Sequence, residues 1–207
     1  MMSNMKNLLQ FPGISLALLL LALSIQPVAA QWHSDQQAIM GTLIRVELWH
    51  EDPKLGQTAI QQVMNELHRI DRLMSPYKTD SELSRLNREA ARHPVLVSAE
   101  MFKLLQRAKY FSDLTAGVFD ITFASVGRFY DYRNKQRPND EKIKKYINKI
   151  NYKHLILDEK QQSVSYALDG VWIDLGGIAK GHAVDQGIAL LRKQGIVHAI
   201  VTAGGDS

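Results

Sequence analysis

The spacing of apolar residues changes period near the start of the chain, and that switch constrains the fold more than any other feature. Met40, Thr42, Ile44, Val46 and Leu48 alternate with polar residues, with Arg45 and Glu47 on the opposite face. A period of two marks a half-buried strand. Downstream, Ile60, Val63, Met64, Leu67, Ile70 and Met74 recur at helical spacing, the core stripe of an amphipathic helix. Asp52-Pro53 supplies its cap and first-turn proline, and Ser75-Pro76 ends it. The first packing problem this chain must solve is therefore a helix laid on a sheet.

The same reading carries through the rest. Residues 79–87 suit one or two helical turns, and His93-Pro94-Val95 breaks the chain into an extended segment. Ser98 caps a helix with Phe102, Leu105 and Ala108 inward, running to about Ser112. Residues 115–128 suit a buried loop or short helix. The charged stretch 131–145 suits a solvated connection and an exposed helix face, with a phosphate or membrane patch as the minority reading. Residues 154–157, 163–168 and 171–174 read as successive strands, with Asp169-Gly170 as a tight turn between the last two. A helix from about 178 to 194 stops at Gly195, and 196–202 is a buried strand. Helices mixed with hairpin-linked strands give the α+β class: a mixed, largely antiparallel sheet with packed helices.

Composition narrows the function. With 45% hydrophobic and 22% charged residues, the chain is an ordinary globular one. A formal net charge of +4 over 207 residues gives no argument for nucleic acid as a partner. There is no cysteine, which excludes disulfides, thiolate zinc sites, cysteine nucleophiles, iron–sulfur ligation and a lipoprotein anchor. At the N-terminus, Lys6, the apolar run 14–23 and the small residues Val28-Ala29-Ala30 compose a secretory signal cleaved after Ala30. The apolar run is shorter than the roughly 20 residues that span a bilayer, leaving an uncleaved anchor as the alternative. Either way the body of the protein is expected outside the cytoplasm, with 1–30 as signal peptide and 31–207 as one domain.

The densest chemical signal is Asp174-Leu175-Gly176-Gly177-Ile178-Ala179-Lys180-Gly181, where a strand runs into two glycines and then a helix. Glycines let a backbone approach a ligand, a helix start offers N–H groups to a phosphate, and Lys180 adds positive charge one turn in. A tight turn with no ligand explains the same residues equally well. The pattern is neither a P-loop nor a GxGxxG fingerprint. Ala203-Gly204-Gly205-Asp206 ends the last strand in the same style, and Gly117-Val118-Phe119-Asp120 sets an aromatic beside a carboxylate. The seven histidines are scattered without metal-ligand spacing, and no GxSxG elbow is present.

In order along the chain, these segments resemble one family. Met40-Gly41-Thr42, Met74-Ser75-Pro76-Tyr77, Ser81-Glu82-Leu83-Ser84-Arg85-Leu86-Asn87, the block from Thr115 to Thr122, Asp174 to Asp185 and Ala203-Gly204-Gly205-Asp206 are similar to successive motifs of the ApbE-like FAD:protein FMN transferases, formerly linked to thiamine biosynthesis. The resemblance implies a periplasmic enzyme that binds FAD with Mg²⁺ and passes FMN to a Ser or Thr hydroxyl of a partner flavoprotein, releasing AMP. It implies an acceptor motif of the form Asp-x-x-Ser/Thr-Gly-Ala-Ser/Thr. It places Met40, Tyr77, Val118, Phe119, Asp120, Asp174 and Lys180 against FAD, with the Gly177 carbonyl on the metal. Tyr77 and Phe119 would pack on rings, Asp120 and Asp174 would take polar edges, and Lys180 would lie near the adenosine or phosphate portion. His182 stands where the family commonly has Tyr. Family members continue into a His-containing DPxTG-like block and an Asp/Thr metal site that supply the base and most Mg²⁺ ligands. No catalytic residue is therefore expected within these 207 residues, which read as the N-terminal part of the domain. The alternatives are a Mg²⁺-dependent FAD pyrophosphatase and a flavin-binding protein, or truncated product, without catalysis.

Overall fold

The computed structural model describes residues 31–131 and 134–205; the expected leader, 1–30, and Asp206 of the last glycine motif lie outside the described residues. Ile44, Val46 and Leu48 are fully buried on one face of β2 (Thr42–His50), as their alternation predicts. Two features of this region differ from the expectation. Met40 is not the first strand residue but sits with Gly41 in a two-residue turn, both at positive φ (55° and 72°). That twist suits a tight hairpin, and its other arm is β1 (Gln31–Ile39), paired antiparallel along the whole of β2. The strand β1 leaves little apolar signal because only Ile39 is buried; Trp32 and Ala38 are exposed and the rest is polar.

The helix α1 (Pro53–Met74) buries the predicted stripe. Asp52 caps it, accepting from Lys54 N (2.8 Å) and Leu55 N (3.2 Å), which satisfies two of the orphan amides of the first turn. Further on are α2 (Glu82–Glu89), capped by Ser81, and β3 (Val95–Leu96). Next come α3 (Ala99–Leu114), capped by Ser98, and α4 (Ala124–Gly127) after one 3₁₀ turn. The exposed helix α5 (Asp140–Tyr146) buries no residue, in keeping with its charge. The chain then forms β4 (Leu155–Asp158), β5 (Ser163–Tyr166), α6 (Ala179–Lys193) and β6 (Ala199–Ala203). Gly195 takes the left-handed cap expected of it, at φ 78°. Because the Ile196 amide donates back to Leu191 O, the following strand starts three residues later than predicted.

Two antiparallel sheets result, ordered β1-β2-β6 and β3-β5-β4. The first carries α1 and α6 on its inner face, where Gly187 lets α6 come close: a Cβ there would meet Val63 Cγ1 at 3.1 Å. Residues 171–174 are not a strand. Both edges of β5 are already occupied, by β3 and β4, so no hairpin closes across Asp169-Gly170. The segment instead gives its polar groups to side chains and to one loop carbonyl. Trp172 N donates to Ser125 Oγ, Ile173 pairs with Asn87 through both N–H and C=O, and Asp174 N donates to Ile121 O.

At the end of β6, Gly204 has φ 63°, its N–H donates to Leu43 O, and a Cβ there would lie 2.3 Å from Thr42 Oγ1. Gly204→Ala therefore combines overpacking with an unfavourable φ and is expected to cost about 1–3 kcal/mol. Urea unfolding checks this. A midpoint equal to wild type would show that β6 does not hold this close approach to the hairpin.

Candidate functional site

Four of the predicted residues converge. Met40, Tyr77, Asp174 and Lys180 line a cavity of about 350 Å³, together with Asp71 and Gly176. Each arrives on a different element: the β1–β2 turn brings Met40, the corner after α1 brings Tyr77, and the turn into α6 brings Asp174 and Lys180. The corner is held from below. Ser81 Oγ, which caps α2, donates to Ser75 O at 2.6 Å, Ser84 Oγ reaches Pro76 O at 3.4 Å, and Tyr77 N donates to Ser75 Oγ at 3.3 Å. This anchoring leaves the Tyr77 ring 91% exposed at the rim, an apolar surface that a flat ligand can cover.

Asp174 orders the glycine turn: its Oδ1 accepts from Gly176 N at 2.6 Å. Beyond it, α6 begins at Ala179, and its N-cap residue, Ile178, supplies no side-chain cap. Gly176 N is taken by Asp174 Oδ1, and the Ile178 and Ala179 amides donate to Leu175 O (2.9 and 2.7 Å), so the start of α6 presents the cavity with the positive end of its dipole and with the Lys180 side chain. Asp71 is a site residue that the motifs do not reveal. It lies one helical turn before Met74 on α1 and pairs with Lys78.

The remaining predicted residues lie beside this cavity, not in its lining. Val118 is 91% exposed on the loop after α3. Phe119 packs edge-on to Phe111 (6.3 Å between centroids), and a Cβ on Gly177 would meet the Phe119 ring at 3.3 Å. Phe119 is thus the wall that lets the glycine turn pass close. The Asp120 carboxylate accepts from Thr122 N (2.8 Å), Thr122 Oγ1 (2.6 Å) and Tyr152 N (2.8 Å). Three of its roughly four acceptor positions hold the loop together. Gly177 borders a separate cavity of about 280 Å³ with Arg107 and His182. There His182 Nε2 meets Glu100 Oε1 at 2.8 Å, and Glu100 Oε2 meets Arg69 at 2.6 Å. The Arg69 guanidinium in turn holds the Glu66 carboxyl below its usual range.

No group of three or more His, Asp or Glu side chains among the described residues is placed to hold a metal ion. The described side chains thus form no metal cluster of their own.

Fold and cavity define an α+β domain with a cavity where a helix start without a side-chain cap meets a glycine turn. The chain belongs to the ApbE family, whose model matches residues 40–207. Similar proteins include FAD:protein FMN transferases of Vibrio cholerae and Treponema pallidum. The first is 29% identical over 201 residues, 93% of this chain and 58% of the relative; the second is 26% identical over 182 residues, 84% and 50%. Among solved structures, the flavin transferase ApbE from Vibrio cholerae matches with TM-score 0.77 at 26% identity, over 85% of this chain and 58% of that one. The ApbE protein of Thermotoga maritima matches with TM-score 0.76 at 28% identity, over 84% and 57%. The chain therefore spans about half the length of the relatives it matches, and it shares their mixed fold.

Proposed function

We propose that the protein is an exported FAD:protein FMN transferase, with residues 31–207 forming the N-terminal part of its single catalytic domain. The observation that carries this reading is the convergence of Met40, Tyr77, Asp174 and Lys180 on one cavity at the uncapped start of α6, in a chain of the ApbE family. Anionic phosphate oxygens suit the helix start and Lys180, a ring suits the exposed Tyr77, and Asp174 takes a polar edge of the ligand while its other role is to set the glycine turn. Phe119 backs the turn from behind. Asp120 fixes the loop that presents Val118 and keeps one acceptor position for the flavin. FMN passes to a Ser or Thr hydroxyl of an acceptor flavoprotein, and AMP leaves.

Mg²⁺ dependence rests on the family resemblance. The Gly177 carbonyl is this segment's donor, and the other ligands are assigned outside the described residues. A divalent ion supplies charge neutralisation at a pyrophosphate. The test is full-length protein incubated with FAD, Mg²⁺ and an acceptor peptide, read by mass spectrometry. An FMN adduct on the hydroxyl residue, lost in chelator and restored by added Mg²⁺, is expected. Release of FMN and AMP with no adduct would replace transfer by pyrophosphate hydrolysis, and an adduct formed in chelator would remove the metal.

A further inference from the structure

A larger cavity, about 740 Å³, shares no lining residue with the site above, although the extended segment supplies Trp172 to one and Asp174 to the other. Its charged lining is Arg88, Arg92, Arg128, Lys145 and Lys149 against a single carboxylate, Asp169. These groups leave a formal charge of +4, equal to that of the whole chain, so the rest of the protein is neutral on balance. Such a concentration of one sign in a concave wall focuses potential on anions.

Two of these cations have an ordinary explanation. Arg88 and Lys145 sit in the last turns of α2 and α5, where positive charge complements the helix dipole, and Arg88 also donates to Thr79 O at 2.8 Å. Arg128 is held instead by aromatic rings. Its guanidinium carbon lies 4.4 Å from the Trp172 ring centroid, 4.7 Å from Phe129 and 5.2 Å from Tyr146. It makes no ion pair with a carboxylate among the described residues. Burial pulls its pKa below the usual arginine range, against the opposing effects of Tyr146 and Asp169. A half-buried cation held among aromatic rings, with four further cations lining the same cavity from other elements, differs from a solvated basic face.

We infer that this cavity is a second ligand site, for a phosphate-bearing small molecule of up to nucleotide size. The guanidinium and ammonium groups supply charge-assisted hydrogen bonds to phosphate oxygens, and the volume falls within the roughly 300–1,000 Å³ of small-molecule pockets.

The experiment is calorimetric titration of the full-length protein with inorganic pyrophosphate and, separately, with ADP. Saturable pyrophosphate binding is expected, weakened about tenfold or more in the double variant Lys145→Gln/Lys149→Gln and further in Arg128→Gln. Lys145 and Lys149 project from short surface elements, so the double variant keeps the question open if Arg128→Gln folds poorly. FAD affinity should be unchanged in the double variant, and pyrophosphate affinity unchanged in Asp174→Ala; this separates the two sites and keeps the result independent of the transferase reading. Tighter binding of ADP than of pyrophosphate would identify a nucleotide as the occupant, and equal binding a free phosphate compound. No saturable binding, displacement of pyrophosphate by FAD, or wild-type affinity in the double variant would overturn the site.

Discussion

Asn87→Ala is expected to destabilise the protein by about 3–6 kcal/mol, because it strips three buried groups of their partner at once. The Asn87 amide donates to Ile173 O at 2.9 Å, while its oxygen accepts from Ile173 N at 2.8 Å and from Tyr166 OH at 3.0 Å. Ile173 is fully buried, and the side chain of Asn87 does for residues 171–174 what a neighbouring strand would otherwise do. Tyr166→Phe is the control. It removes one bond and leaves both Ile173 bonds intact, so its cost should be about 1 kcal/mol. The two variants also separate in alkali. Burial pushes the Tyr166 phenol well above its ordinary 10.0, so the unfolded chain loses that proton where the folded one keeps it. Stability from this group is complete below about pH 10 and falls as pH rises further, a fall that Tyr166→Phe should reduce. Denaturant unfolding at neutral and alkaline pH reads both. An Asn87→Ala midpoint no lower than that of Tyr166→Phe would show that the segment is held by something other than this amide.

Asp174→Ala is expected to weaken FAD binding about 10–100-fold, the loss of one or two hydrogen bonds to a charged acceptor. The carboxylate has two functions in the proposed site: a polar contact to the ligand, and the bond from Gly176 N that shapes the glycine turn in front of α6. Asp174→Asn separates them, since its amide oxygen can still accept from Gly176 N while the negative charge is gone. Affinity restored in Asn over Ala would assign the effect to turn geometry. Equal loss in both would assign it to the charge. Fluorescence titration of flavin with either variant gives the answer, and wild-type affinity in both would remove Asp174 from the site. Because Asp174 is only partly buried, both variants should keep a near wild-type unfolding midpoint, which makes the binding measurement interpretable.

The features legible in the residues alone are those set by interactions local along the chain. Helix boundaries are legible at Asp52-Pro53, Ser75-Pro76, Ser98 and Gly195, because caps and left-handed turns satisfy backbone groups within a few residues. The buried stripe of α1 and the inner face of β2 are legible because periodicity is a property of a single element. The strand β1 is hidden because its pairing with β2 buries no apolar residue except Ile39. Residues 171–174 mislead because their extended backbone has the composition of a strand. Whether such a segment's hydrogen bonds go to a ladder or to Asn87 and Ser125 is settled only by which edges of β5 are already taken.

The candidate site divides in the same way. The family motifs carry Met40, Tyr77, Asp174 and Lys180, residues spread from position 40 to 180. Their meeting at one cavity depends on the hairpin turn, the Ser75-Pro76 corner and the α6 start being packed on a common core. Asp71 is not distinguished by its motif context, because a carboxylate on a solvated helix face looks the same in sequence whether or not a cavity opens beside it. The cluster around Arg128 is hidden for a related reason. Its five cations lie between positions 88 and 149, only Lys145 falls in the charged stretch 131–145, and nothing along the chain groups them. The sequence alone therefore determined the class of fold, the element ends and the family motifs, each written in residues a few positions apart. The tertiary structure alone decided which distant side chains share a cavity, because burial and electrostatic focusing depend on distances through space that no spacing along the chain encodes.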